Sequence, residues 1–257
     1  MCAAFDVTEE RPQRSAGGAS RSQVNQLRSA LTVRILHCTD FHANKAWFDW
    51  LVDRSTEYSV ICVTGDFLDL LEMHWVETQV RMVKDAVKRI ECTLALCSGN
   101  HDSFTGEPAP ESLHHASWLN GLRREGVWMD GDTFQYGGTQ FRCIGWNGPF
   151  RSADRREIWL THAPPAASLV AAGSDESEAG DGILGEICRA EMGPWIALSG
   201  HQHNPRSWAE KVGRTWCFNP GVARNSPIPN HIVVDLAAST ATYRVNDLDH
   251  ASVAIAR

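Results

Sequence analysis

The chain has 257 residues, enough for one sizeable α/β domain or two small ones. Its 43% hydrophobic and 21% charged residues exclude a disordered or fibrous chain, and a formal charge of −7 argues against nucleic acid as a partner, which calls for a clustered Lys/Arg face. Eight cysteines without a Cys-x-x-Cys pair read as small buried hydrophobes in a reducing cytoplasm, and no apolar run reaches the ~18–20 residues of a membrane span or forms a signal peptide.

In chain order, residues 1–30 are rich in Arg, Ser, Gly, Ala and Gln without a period, which predicts a disordered arm ahead of a folded domain over 31–257. A strand is expected over 32–38, a helix over 44–54, a strand over 59–64, a long helix over 71–90 and a strand over 93–98. The long helix carries Val76, Val80, Val83, Val87 and Ile90 as one apolar stripe. This β-α-β-α-β opening implies parallel strands whose C-terminal ends share one edge, where open α/β sheets build their sites. A helix near 112–124 follows, then short strands near 127–129, 133–136 and 140–144, and later 157–161, 195–199, 215–218, 231–235 and 241–245, expected to form a second, more antiparallel sheet. Residues 173–182, rich in Gly, Ser, Glu and Asp, read as an exposed loop.

Five short polar blocks stand at the ends of these apolar runs: Asp40-Phe41-His42, Gly65-Asp66-Phe67-Leu68-Asp69, Gly99-Asn100-His101-Asp102, Thr161-His162-Ala163-Pro164 and Gly200-His201-Gln202-His203. Asp40, His42, Asp66, Asn100, His162, His201 and His203 are candidate metal ligands. Four imidazoles, two carboxylates and an amide oxygen are too many for one tetrahedral ion and suit two metals sharing a carboxylate. Mn²⁺, Fe or Zn²⁺ fits such a mixed N/O set, and Mg²⁺ fits it less well. Two divalent ions facing two carboxylates attract an anionic ester, lower the pKa of bound water and clamp the attacking and leaving oxygens, which is the chemistry of phosphoester hydrolysis.

The five blocks resemble those of the calcineurin-like metallophosphoesterase superfamily over residues 40–203. His162-Ala163-Pro164-Pro165, the Gly180–Gly185 stretch opening a helix and Phe218-Asn219-Pro220-Gly221 are similar to its small prokaryotic stand-alone members. The resemblance implies a four-layer α/β/β/α sandwich of two mixed sheets flanked by helices. It implies that Asp40, His42, Asp66 and His203 hold one metal and Asp66, Asn100, His162 and His201 the other, with Asp66 as the bridge and a metal-bridged hydroxide attacking a phosphomonoester or phosphodiester. It further implies that His101 binds the phosphate and protonates the leaving group, with Asp102 orienting it. The Ser/Thr protein phosphatase branch has Arg after its Gly-Asp-x-x-Asp block, where this chain has Leu70.

Plainer readings stand beside these. Asp69 and Asn44 read as helix caps, and His37 as a core or supporting histidine. Asn219-Pro220-Gly221 is a turn signal, Arg151, Arg155 and Arg156 form a solvated cluster, and the Trp146-Asn147-Gly148-Pro149 loop is placed to lean over the site. Rival functions are a DNA-repair-type nuclease, disfavoured by the acidic charge, and a non-catalytic metal-binding interaction scaffold.

Overall fold

The computed structural model describes residues 32–103 and 111–256, so the expected N-terminal arm lies outside the described residues. The first sheet begins with β1 (Arg34–Cys38), β2 (Val60–Thr64), β3 (Thr93–Cys97) and β4 (Val127–Trp128), all parallel. Between them run α1 (Lys45–Asp53) and α2 (Val76–Arg89). The second sheet comprises β5 (Thr133–Tyr136), β6 (Thr139–Cys143), β7 (Glu157–Leu160), β8 (Ile196–Leu198), β9 (Ala209–Val212) and β10 (Thr215–Phe218), with α3 (Gly182–Arg189) between β7 and β8. Then β11 (His231–Asp235), β12 (Thr240–Val245) and β13 (Leu248–Ala254) return to the first sheet. The orders are β13-β12-β11-β1-β2-β3-β4 and β5-β6-β7-β8-β10-β9.

Alternation along the strands explains the layering. Val60 and Cys62 of β2 face the second sheet, where they join Phe141, Ile158, Leu160 and Leu198 in the inter-sheet core. Ile61 and Val63 face the opposite way, onto Phe48 and Leu51 of α1 and Val83 and Val87 of α2. On the outer face of the second sheet, Trp159, Ala197 and Cys217 meet Leu184 and Cys188 of α3. Strands buried on both faces need unbroken apolar runs, which is what these segments carry. The result is the expected α/β/β/α sandwich of two mixed sheets.

Three details differ from the sequence reading. The second sheet is parallel through β6, β7, β8 and β10, with antiparallel pairing only at its edges, β5 and β9. Strands β11 and β12 complete the first sheet, because β11 pairs antiparallel with β1 from Arg34↔Asp235 to His37↔Ile232. The long helix starts at Val76: residues Leu70–Trp75 form 3₁₀ turns broken at Glu72, and Leu71 is 80% exposed. Asp69 caps these 3₁₀ turns rather than the α-helix, its Oδ1 accepting from the Leu71 N–H while its own N–H is taken by Gln79 Oε1. Asn44 does cap α1, accepting from the Ala46 and Trp47 amides. All seven cysteines among the described residues are free, and all but Cys92 are buried. No helix among the described residues is long and apolar enough to cross a membrane.

Candidate metal centre

All five blocks sit just beyond the C-terminal ends of parallel strands. Asp40, Asp66 and Asn100 follow β1, β2 and β3 of one sheet, while His162 and the pair His201 and His203 follow β7 and β8 of the other. The inter-sheet core aligns these ends, so two sheets deliver donors to one edge.

The turns are tight, and Asp40, His42, Asp66 and His201 all adopt positive φ, between 43° and 66°. Non-glycine residues rarely do so, and such strain gathers at functional sites. Backbone hydrogen bonds hold the turns: Asp40 N to Gly65 O at 3.1 Å, His42 N to Asp66 O at 2.9 Å and Ala43 N to Phe67 O at 2.8 Å. Glycine is required at Gly99, where a Cβ would strike the Asp66 carboxylate, and at Gly200, where it would strike Thr39 and Asp40.

Each carboxylate divides its oxygens. Asp40 Oδ2 accepts from Thr39 Oγ1 at 2.7 Å and from the His201 N–H at 3.1 Å. Its buried Oδ1 has no hydrogen-bond partner and lies 3.4 Å from His203 Nε2, 3.9 Å from His42 Nε2 and 4.0 Å from His162 Nε2. Asp66 Oδ1 accepts from the His101 N–H at 2.8 Å, while Oδ2 lies 3.3 Å from His162 Nε2 and 3.8 Å from His42 Nε2. His42 and His203 bring their Nε2 atoms within 3.2 Å of each other, and His162 Nε2 is 3.0 Å from Asn100 Oδ1. The His162 Nδ1–H donates to the Thr64 carbonyl at 2.7 Å, which turns Nε2 inward toward the carboxylates.

Such convergence of lone pairs costs energy unless a cation joins them. Donor atoms of Asp40, His42 and His203 lie within 4.8 Å of one another, as do those of Asp66, His162 and His201. The donor chemistry fits divalent ions bound through nitrogen and oxygen. The local field is negative: burial pushes the His162 imidazole down, but the Asp66 and Asp40 carboxylates outweigh it and raise its pKa to about 10. Burial likewise opposes the Asp40 charge, yet the neighbouring His203 and His162 imidazoles hold that carboxyl below its ordinary range. Burial dominates at His201, pushed down to about 4.

The expected pairing of Asp102 with His101 is absent. Asp102 is fully buried, with Oδ1 accepting from the Phe67 and Leu68 amides at 2.9 and 3.1 Å and Oδ2 from the Gly99 N–H at 2.8 Å. It ties the Asp66 turn to the Asn100 turn. His101 instead receives the Leu70 N–H at Nδ1, 3.3 Å away, and its ring stands edge-on to that of His42 at 4.7 Å. Asp69 is the carboxylate beside it, with donor atoms of His42, Asp69 and His101 all within 4.8 Å of one another. The signal for this was the spacing Asp66-x-x-Asp69, which a cap explained equally well.

The supporting residues are mostly ones whose roles the sequence left open. Fully buried His37 binds Thr64 Oγ1 at 2.9 Å, with burial lowering its pKa to about 3. Asn219 is more than a turn residue: its Nδ2 donates to the Gly200, Gln202 and Val170 carbonyls, fastening the loop that bears His201 and His203. Trp146 leans over the site, its ring 5.3 Å from that of His201 and 5.6 Å from that of His162. Arg155 and Arg156 line a separate cavity with Trp195 and Arg214. Arg224, not singled out by any motif, reaches His203 Nδ1 at 3.3 Å.

A family model described as calcineurin-like phosphoesterase matches residues 33–225. No curated protein matches the sequence. Among solved structures, a dimetal phosphatase from Danio rerio is similar with a TM-score of 0.52 at 10% identity, covering 87% of this chain and 99% of its own. The purple acid phosphatase PPD1 from yellow lupin (Lupinus luteus) seeds gives a TM-score of 0.54 at 11% identity, covering 86% of this chain and 53% of its own. A phosphopantetheinyl hydrolase from Mycobacterium tuberculosis gives 0.50 at 11% identity, covering 76% of this chain and 90% of its own. At these identities the likeness is one of fold.

Proposed function

Since the chain belongs to the calcineurin-like phosphoesterase family, we propose that it hydrolyses a phosphomonoester or phosphodiester at a binuclear metal centre. The observation that carries this reading is the pair of carboxylate oxygens turned onto imidazole nitrogens, Asp40 Oδ1 toward His203 and Asp66 Oδ2 toward His162. In this reading Asp40, His42, Asp66 and His203 would hold one ion and Asp66, Asn100, His162 and His201 the other, with Asp66 shared between them. Mn²⁺, Fe or Zn²⁺ suits the donors. Two such ions supply a nucleophile from water at neutral pH and charge neutralisation for the phosphoryl group.

The side chains do the rest. With Nδ1 of His101 accepting from Leu70, the ring proton resides on Nε2. From there it donates a hydrogen bond to a phosphoryl or leaving oxygen and stabilises the negative charge that develops there, with the Asp69 carboxylate beside the ring. As the water oxygen bonds to phosphorus the ester P–O bond breaks, and the departing alkoxide, held by this hydrogen bond, takes up the proton that the water gives up. Trp146 covers the His162 and His201 flank and limits water there.

The test is turnover of a chromogenic phosphomonoester and a phosphodiester by purified protein with and without added metal. Metal-dependent release of product from at least one ester is expected. Inactivity of metal-loaded protein on both would overturn hydrolysis in favour of a metal-binding scaffold.

A further inference from the structure

The flank of the centre under Trp146 opens into a cleft of about 260 Å³, bounded by His162, His201, Trp146, Phe150, Glu178 and Asp181. No Lys or Arg lines it among the described residues. Glu178 is exposed and Asp181 half-buried; Glu178 Oε1 accepts from the Ala167 N–H at 3.2 Å and Asp181 Oδ1 from the Leu184 N–H at 2.9 Å, and no donor among the described residues reaches the second oxygen of either. The opposite flank has the other sign. Beyond His203 a cavity of about 430 Å³ is lined by Arg206, and Arg224 stands against the His203 ring.

We propose that the cleft binds a small cationic group esterified to the phosphate, so that the substrates are phosphoesters of amino alcohols. The inference rests on the hydrolytic reading above. Its size is below the ~300–1,000 Å³ typical of pockets for drug-sized ligands, which suits a short aminoalkyl chain rather than a nucleoside. Charge then alternates along the bound substrate: metal edge positive, phosphate negative, ammonium positive, Glu178 and Asp181 negative. The Trp146 indole adds the electron-rich face on which alkylammonium groups sit. An esterifying group bearing a second anion meets two carboxylates and no cation.

The test uses metal-loaded protein and three diesters sharing a p-nitrophenolate leaving group: p-nitrophenyl phosphorylcholine, ethyl p-nitrophenyl phosphate and its 2-carboxyethyl counterpart. The choline ester is expected to exceed the ethyl ester in kcat/KM by about tenfold or more, and the carboxyethyl ester to fall below it. In a Glu178→Gln, Asp181→Asn double variant, which keeps both backbone-accepting oxygens, the preference for the choline ester over the ethyl ester collapses. A second readout needs no catalysis: binding of tetramethylammonium, followed by saturation-transfer NMR, is expected in the wild type and lost in the double variant. Turnover of no ester with tetramethylammonium bound in this way overturns hydrolysis and supports the cation site. Equal turnover of the three esters, or equal tetramethylammonium binding by both proteins, overturns the inference.

Discussion

The backbone N–H of Leu70 donates to Nδ1 of His101 across 3.3 Å, so the main chain fixes the tautomer of the one block histidine outside the two proposed ligand sets. Replacement of His101 by Asn is therefore expected to lower kcat by about 10²–10³-fold, the usual worth of one positioned donor to developing charge, without changing metal content. Elemental analysis beside the kinetics separates this from metal loss, and wild-type kcat in a fully loaded variant would remove His101 from the chemistry.

Asp102, adjacent in sequence, has a different job and a different signature. Truncating it to Ala leaves the Phe67, Leu68 and Gly99 amides without their buried acceptor. A loss of about 3 kcal/mol or more in urea unfolding is expected, at about 1–3 kcal/mol per orphaned donor. A variant as stable as wild type but slow in turnover would restore Asp102 to the acid pair.

Asp66 is proposed to serve both ions, His203 and His201 one each. Asp66→Asn is thus expected to deplete both metals, whereas His203→Ala and His201→Ala each remove about one equivalent. Metal-to-protein ratios after dialysis decide this, and an Asp66→Asn protein retaining a full equivalent would argue against the bridge.

The raised pKa of His162 makes metal uptake pH-dependent. Its imidazole holds a proton up to about pH 10 in the folded chain against 6.5 for the unperturbed group, so an ion at Nε2 must displace that proton. Apparent metal affinity should climb roughly tenfold per pH unit between pH 6 and 8. The same shift acts oppositely on chelated protein. A raised folded pKa contributes stability that is complete below 6.5 and lost as pH rises toward 10, so its melting temperature should fall over that window. A rise there would contradict the assignment.

Gly99 offers a steric test. An alanine Cβ at this position collides with the Asp66 carboxylate, so Gly99→Ala should bind metal more weakly even if it folds. Titration with a colorimetric chelator as competitor measures this directly, and unchanged affinity would mean that the Asp66 turn relaxes freely.

Much of this molecule was legible before its structure. The blocks following β1, β2, β3, β7 and β8 could be read because a buried strand and the polar turn after it are contiguous in sequence. The partner of β1 could not, since its antiparallel neighbour β11 lies almost two hundred residues away and both are short runs buried on both faces, with no alternation to set a register. Strand β13 escaped because it is an edge strand with most residues exposed and no apolar alternation. Asp102 was misassigned because neighbouring residues in a turn send their side chains in different directions. Asp69 lies further along the chain than Asp102 from His101, yet it is the one beside the ring.

The donors at this edge come from both halves of the sandwich, Asp40, Asp66 and Asn100 from one sheet and His162, His201 and His203 from the other. Neither half alone owns a complete coordination sphere. A partly unfolded chain in which the sheets have not docked would therefore lack the proposed centre, and the proposed activity would wait on their docking. An ion bound there would in turn act as a rivet between the layers, opposing their separation.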